Sequence, residues 1–164
     1  MPARRALTHL DSTGQARMVD VSKKAVTLRE ARATADVVVS ETAFAAAAAG
    51  DLPKGDLLST VRLAGVMAAK RTHELVPMCH PLRLTGIDVE AVLDPSLPGI
   101  RLAARVRCVE RTGAEMEALT ACAVAGLTAI DMIKAIDPWA RVEALQVAAK
   151  KGGRSGARTR PSRA

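Results

Sequence analysis

Two prolines divide this chain. Within Val-Pro-Met-Cys-His-Pro-Leu (76–82), Pro77 and Pro81 fix their own φ, lack an N–H, and steer the residues before them, Val76 and His80, away from the α region. A helix cannot run through such a segment and a central strand cannot contain it, so the elements on either side must be separate. What remains is a stiff loop that presents Met78, Cys79 and His80 in a set direction. Preorganised loops suit ligand sites, because little chain entropy is left to lose on binding. The same pattern also serves as a plain turn whose histidine is hydrogen-bonded at an element end.

The flanking segments alternate between strand and helix. Residues 25–39 alternate from Leu28 and close on Val37-Val38-Val39, which predicts a strand. Ser40 is an N-cap residue, Glu41 complements the helix dipole, and the alanines 45–49 run into Gly50, so a short helix follows. After the turn at 51–55, Asp56 caps a second helix reaching about Arg71. Its Ala64, Gly65, Ala68 and Ala69 form a small-residue face that lets another backbone approach, including that of a second subunit. Beyond the proline loop, 84–93 and 100–110 read as strands, 114–136 as a long Ala/Leu-rich helix, and 141–149 as a last strand. The order β-α-α-β-β-α-β predicts an α+β sandwich, an antiparallel sheet with helices packed on one face.

Composition narrows the core and the partners. Apolar residues make up 49% of the chain, yet Phe44 and Trp139 are its only aromatics, so the core must be built from Ala, Val, Leu, Ile and Met. Stacking platforms for single-stranded nucleic acid are therefore almost absent. The net charge of +7 is terminal: residues 6–149 hold 16 basic groups against 17 acidic ones. The predicted partners thus include no nucleic acid, and 157–164 reads as a basic flexible tail behind one domain over 1–156. Cys79, Cys108 and Cys122 are an odd set without Cys-x-x-Cys spacing, which fits reduced thiols in a cytoplasmic protein. Arg4 and Arg5 precede no apolar run, and no uninterrupted apolar stretch reaches spanning length, so no signal peptide or membrane segment is expected.

Four clusters carry potential chemistry: Lys54 in its Pro-Lys-Gly turn, His73 and Glu74 leading to Cys79 and His80, Glu115-Met116-Glu117 opening the long helix, and Asp131 with Lys134 near its end. Each also reads as solvated charge or an ordinary ion pair, and an i,i+3 Asp–Lys pair is common and weak. A zinc site from His73, Cys79, His80 and Glu115 or Glu117 lacks standard spacing, and adjacent Cys and His do not readily face one ion. No metal ligand is assigned. On one unbroken helix Asp131 would lie ~21 Å from Glu117, too far for one small-molecule pocket. If both clusters function, either two subunits supply the walls or the helix breaks at Gly126.

Taken together and in order, Leu-Thr-His-Leu-Asp (7–11), Met-Val-Asp-Val-Ser-Lys-Lys (18–24), Lys-Gly-Asp (54–56), Ala-Ala-Lys-Arg-Thr (68–72), Pro-Met-Cys-His-Pro-Leu (77–82), Thr-Gly-Ala-Glu-Met-Glu-Ala-Leu-Thr (112–120) and Asp-Met-Ile-Lys-Ala (131–135) resemble the MoaC family over about 7–156. These are the cyclic pyranopterin monophosphate synthases of molybdenum cofactor biosynthesis. The resemblance implies a ferredoxin-like fold and a cytoplasmic hexamer, a trimer of dimers, with active sites at the dimer interface. It implies a small nucleotide-derived substrate, 3′,8-cyclo-7,8-dihydroguanosine 5′-triphosphate, converted with release of pyrophosphate. Asp131, Lys134 and Lys54 match catalytic positions, and Met78, Cys79, His80, Glu115, Met116 and Glu117 match substrate contacts. No cofactor is implied as required, and a divalent cation on the triphosphate stays open. Two rivals are weighed beside it: a basic-tailed binding module for RNA or protein, opposed by the near-neutral interior, and a metal-assisted purine-nucleotide cyclohydrolase.

Overall fold

From Ala31 to Val39 every second side chain is buried, the period-two pattern of a strand with one face on a core. The computed structural model describes residues 13–154 and 156–161. The elements run β1 (Thr27–Val38), α1 (Glu41–Ala49), α2 (Leu57–Lys70), α3 (Thr72–Leu75), β2 (Leu84–Asp94), β3 (Gly99–Glu110), α4 (Glu115–Ile133), β4 (Arg141–Lys151) and β5 (Arg158–Thr159). The sheet order is β2-β3-β1-β4-β5, with every neighbouring pair antiparallel. Its first four strands have the ferredoxin-like arrangement, and the helices cover one face of the sheet.

The expected caps form. Ser40 accepts a hydrogen bond from the Ala43 N–H, Gly50 closes α1 in the left-handed region at φ 78°, and Asp56 accepts from the Ser59 N–H at the start of α2. The core is aliphatic and small: Ala31, Ala33, Ala35 and Val37 of β1 and Leu102, Ala104 and Val106 of β3 meet Ala118, Ala121, Ala125 and Ala129 of α4. Two glycines set how closely the layers approach. A Cβ on Gly65 would lie 3.1 Å from the Ala121 carbonyl oxygen, and one on Gly126 would lie 2.7 Å from Val142 Cγ2. The small-residue face of α2 is thus partly used inside the subunit, against α4 and β2.

Four expectations need correction. The long helix ends at Ile133 and is continuous through Gly126, so it does not break to bring its ends together. By length and hydropathy α4 does resemble a membrane span; more than half of it is buried against the sheet and α2, and that burial explains its apolar character. The short turn α3 was not foreseen. The supposed flexible tail begins on the sheet: Arg158 and Thr159 pair with Lys150 and Ala149, and the Arg160 N–H donates to the Ala148 carbonyl. The motif at 7–11 lies outside the described residues.

Candidate functional site

The proline loop lies against the first turn of α4. Met78, Cys79, His80 and Leu82 line a cleft of about 210 Å³ together with Thr112, Gly113, Glu115, Met116 and Glu117. All six residues matched to substrate contacts therefore meet in one cleft. His80 Nε2 lies 2.9 Å from the Val19 carbonyl, which can only accept, so Nε2 carries a proton. That bond orients the ring from the 18–24 motif, far away in sequence. His73 stays on the exposed surface of α3 and is absent from the cleft. Among the described residues, no group of three or more His, Cys, Asp and Glu side chains is gathered as metal ligands would be.

The two glutamates of the cleft differ in character. Glu117 is only 4% exposed, and burial pushes its carboxyl up to about 7, its own backbone N–H opposing the shift and the Glu115 charge adding to it. A carboxyl poised there can exchange a proton near neutrality. Glu115 is held by Lys150 of β4, with Nζ 2.8 Å from Oε1. The Cys79 thiol is pushed up by burial and then by the Glu117 charge. Cys108 and Cys122 are free but buried in the core. Sequence reasoning missed Lys150, which was counted with the terminal basicity because the last strand was read only to 149; β4 runs on to Lys151 and carries Lys150 on the sheet.

The second cluster lies at the other end of the helical layer. Asp131 stands between two cations, with Lys134 Nζ 2.7 Å from Oδ1 and Lys54 Nζ 2.5 Å from Oδ2. These charge-assisted bonds, that to Lys134 first and that to Lys54 second, hold the Asp131 carboxyl down to about 2. It is ionised at any physiological pH, so it orients the lysines and does not exchange protons itself. All three side chains are about half exposed and accessible to an anion. Lys54 arrives on the turn before α2, where Gly55 takes φ 84°, and Asp131 and Lys134 arrive from the end of α4. Since the start of α2 meets the end of α4 here, and the loop after α2 meets the start of α4 at the cleft, the two helices run antiparallel. Along continuous α4 the rise puts Glu117 and Asp131 ~21 Å apart. The chain thus presents two separate clusters.

An antiparallel ferredoxin-like sheet under two helices, carrying a near-neutral buried acid in a cleft and a carboxylate-held lysine pair, defines an α+β protein with two separate clusters of ionisable groups. Comparison with known proteins names the lineage: the MoaC family matches residues 18–153, and the chain belongs to it. It is 55% identical to a cyclic pyranopterin monophosphate synthase of Methylobacterium nodulans over 92% of this chain and 94% of that one. To the protein of the same name from Roseiflexus sp. it is 53% identical over 92% and 95% of the two chains. To that of Chloroflexus aurantiacus it is 50% identical over 97% and 98%. These relatives are enzymes of molybdenum cofactor biosynthesis.

Proposed function

We propose that this chain converts 3′,8-cyclo-7,8-dihydroguanosine 5′-triphosphate to cyclic pyranopterin monophosphate and pyrophosphate, acting in the cytoplasm as an early enzyme of molybdenum cofactor biosynthesis. The observation that carries the reading is the convergence of Met78, Cys79, His80, Glu115, Met116 and Glu117 on one cleft. An acidic cleft wall suits the donor edge of a guanine-derived base, and the Lys54–Asp131–Lys134 cluster suits a polyphosphate. Opening the imidazole ring and closing the pyrazine ring move protons between nitrogen and carbon centres. Lys54 and Lys134 serve as acid/base partners, with Asp131 orienting them. Cyclisation follows when a sugar hydroxyl attacks the α-phosphorus. Its proton passes to a base, the bond to the bridging oxygen of the β-phosphate breaks, and pyrophosphate leaves with its charge stabilised by lysine. No resident cofactor is required in this scheme.

Because the half-sites are separated along α4, the working pocket is composite, completed by a second copy in a homo-oligomer, a hexamer built from dimers. Incubation of the purified protein with the cyclic dihydro-GTP intermediate is expected to release pyrophosphate after exhaustive chelation of trace metals. Asp131→Ala or Lys54→Ala should abolish that release. Zero turnover by the wild type would sink the proposal, and activity lost on chelation would favour the metal-assisted cyclohydrolase.

A further inference from the structure

We propose that the tail strand β5 is part of the site: Arg158 sets a second cation beside Lys150 at the rim of the cleft, where the two hold the polyphosphate of a bound nucleotide-derived ligand. This deepens the reaction proposed above and rests on it for the identity of the ligand. The family match ends at 153, so β5 lies beyond the residues it covers.

The first observation is the direction in which Arg158 leaves the sheet. Lys150 pairs with Ala31 of β1, a core residue, and its Nζ reaches Glu115 of α4, so Lys150 lies on the helix-covered face. Arg158 stands directly opposite Lys150. Residues so opposed in an antiparallel pair put their side chains on the same face, with Cβ atoms about 5 Å apart. Thr159, one residue on, faces the other way. The turn that returns the chain fixes this placement. Gly152 and Gly153 take φ 102° and 68°, and a Cβ on either would run into β1, against the Leu28 carbonyl and the Arg29 guanidinium respectively. Beyond the strand, the Arg160 N–H donates to the Ala148 carbonyl at 2.8 Å.

The second observation is that Arg158 is exposed and, among the described residues, no carboxylate pairs with it. The cations around it are engaged: Arg29 donates to the Glu110 and Arg111 carbonyls, and Lys150 to Glu115. Like charges directly opposed across a ladder are destabilising, and Glu115 relieves that only while it holds Lys150. A ligand whose donor edge takes Glu115 releases Lys150, and two adjacent cations then face its phosphates.

The third observation is charge. Asp131 between Lys54 and Lys134 leaves that cluster a single net positive charge, and Glu115 cancels Lys150. A triphosphate carries about four negative charges at neutral pH, so the two clusters leave most of it uncompensated. The planar fork of an arginine matches phosphate oxygens and keeps its charge while lysines exchange protons. Arg158 therefore binds without taking part in proton transfer, equally in the substrate and in the transition state.

The test carries the cation across the strand. Arg158→Thr combined with Thr159→Arg keeps length, composition and net charge but moves the guanidinium to the far face. Titration calorimetry with inorganic tripolyphosphate reads anion binding without turnover, and steady-state kinetics with the cyclic dihydro-GTP intermediate reads the reaction. The exchange is expected to weaken tripolyphosphate about 3–10-fold and to raise KM by a similar factor, with kcat unchanged. Arg158→Lys, which keeps the charge, should lose less. An exchanged variant that binds tripolyphosphate as the wild type does would overturn the proposal, because the basicity of the tail and not its face would then matter. A wild type that binds none would overturn it as well. Absent wild-type turnover with the binding difference intact would sink the reaction proposed above and leave the anion site standing.

Discussion

Glu117→Gln tests the electrostatics of the cleft through stability. The folded carboxyl is pushed up to about 7 from an ordinary 4.5, mainly by burial. Below pH 4.5 it is neutral in both folded and unfolded chains and exacts no penalty. Between 4.5 and about 7 the unfolded chain ionises and the folded one does not. The folded state then binds the extra proton, and stability falls by about 1.4 kcal/mol per pH unit. Above about 7 the whole penalty, about 3 kcal/mol, is in place. Glutamine keeps the shape and removes the titration. Measured by urea denaturation, the advantage of the variant over its parent should therefore grow by up to about 3 kcal/mol between about pH 4 and about pH 8. The titratable groups around it contribute less: Glu115 is tied to Lys150, and Cys79 and Cys108 stay neutral thiols with raised pKa values. A difference that is flat with pH would refute the reasoning, since Glu117 would then titrate alike in folded and unfolded chains.

Three further outcomes are expected. Cys79 is the one cysteine not fully buried, so alkylation should report it alone, with Cys108 and Cys122 pushed up to about 11 and about 12 by burial; Glu117→Gln should move its rate–pH profile toward lower pH, and an unmoved profile would remove Glu117 from its surroundings. Gly126→Ala should gain about 1 kcal/mol of helix propensity yet lose about 1–3 kcal/mol to the clash with Val142, giving a net loss in denaturation that Val142→Ala relieves. A Gly126→Ala variant that is simply more stable would contradict that account. Truncation after Gly156 should leave turnover intact while uncovering the outer edge of β4, so light scattering should detect more self-association than in the full chain.

Much of the fold was legible because local signals agreed with one another. Ser40, Gly50 and Asp56 are caps whose chemistry acts within a few residues, and all three act where expected. Alternation in 27–38 and 99–110 needs only a one-sided core to be read correctly. The contents of the cleft were legible residue by residue, but not its wiring. Lys150 reaches Glu115 through the β1–β4 pairing, a contact 35 positions apart along the chain. His80 is oriented by a carbonyl 61 positions away, and a backbone acceptor leaves no mark in side-chain sequence. β5 escaped notice because two paired residues in a Gly- and Arg-rich segment carry no periodicity. The charge of the tail suggested solvent, whereas the free edge of β4 offered hydrogen bonds.

The two clusters also differ in how each is held, and the difference bears on why they occupy opposite ends of one helix. Glu117 is preorganised by burial: its position is fixed by packing, and its charge is costly until a cation or a substrate donor arrives. The lysines are preorganised by exchangeable partners, since half-exposed ion pairs contribute only about 0–1 kcal/mol and yield readily to a phosphate. Side by side in one subunit, Glu117 would ionise against the lysines and lose its near-neutral proton, and the lysines would lose their openness to anions. Continuous α4 keeps the groups apart, so Glu117 keeps its near-neutral proton and the lysines stay open to anions.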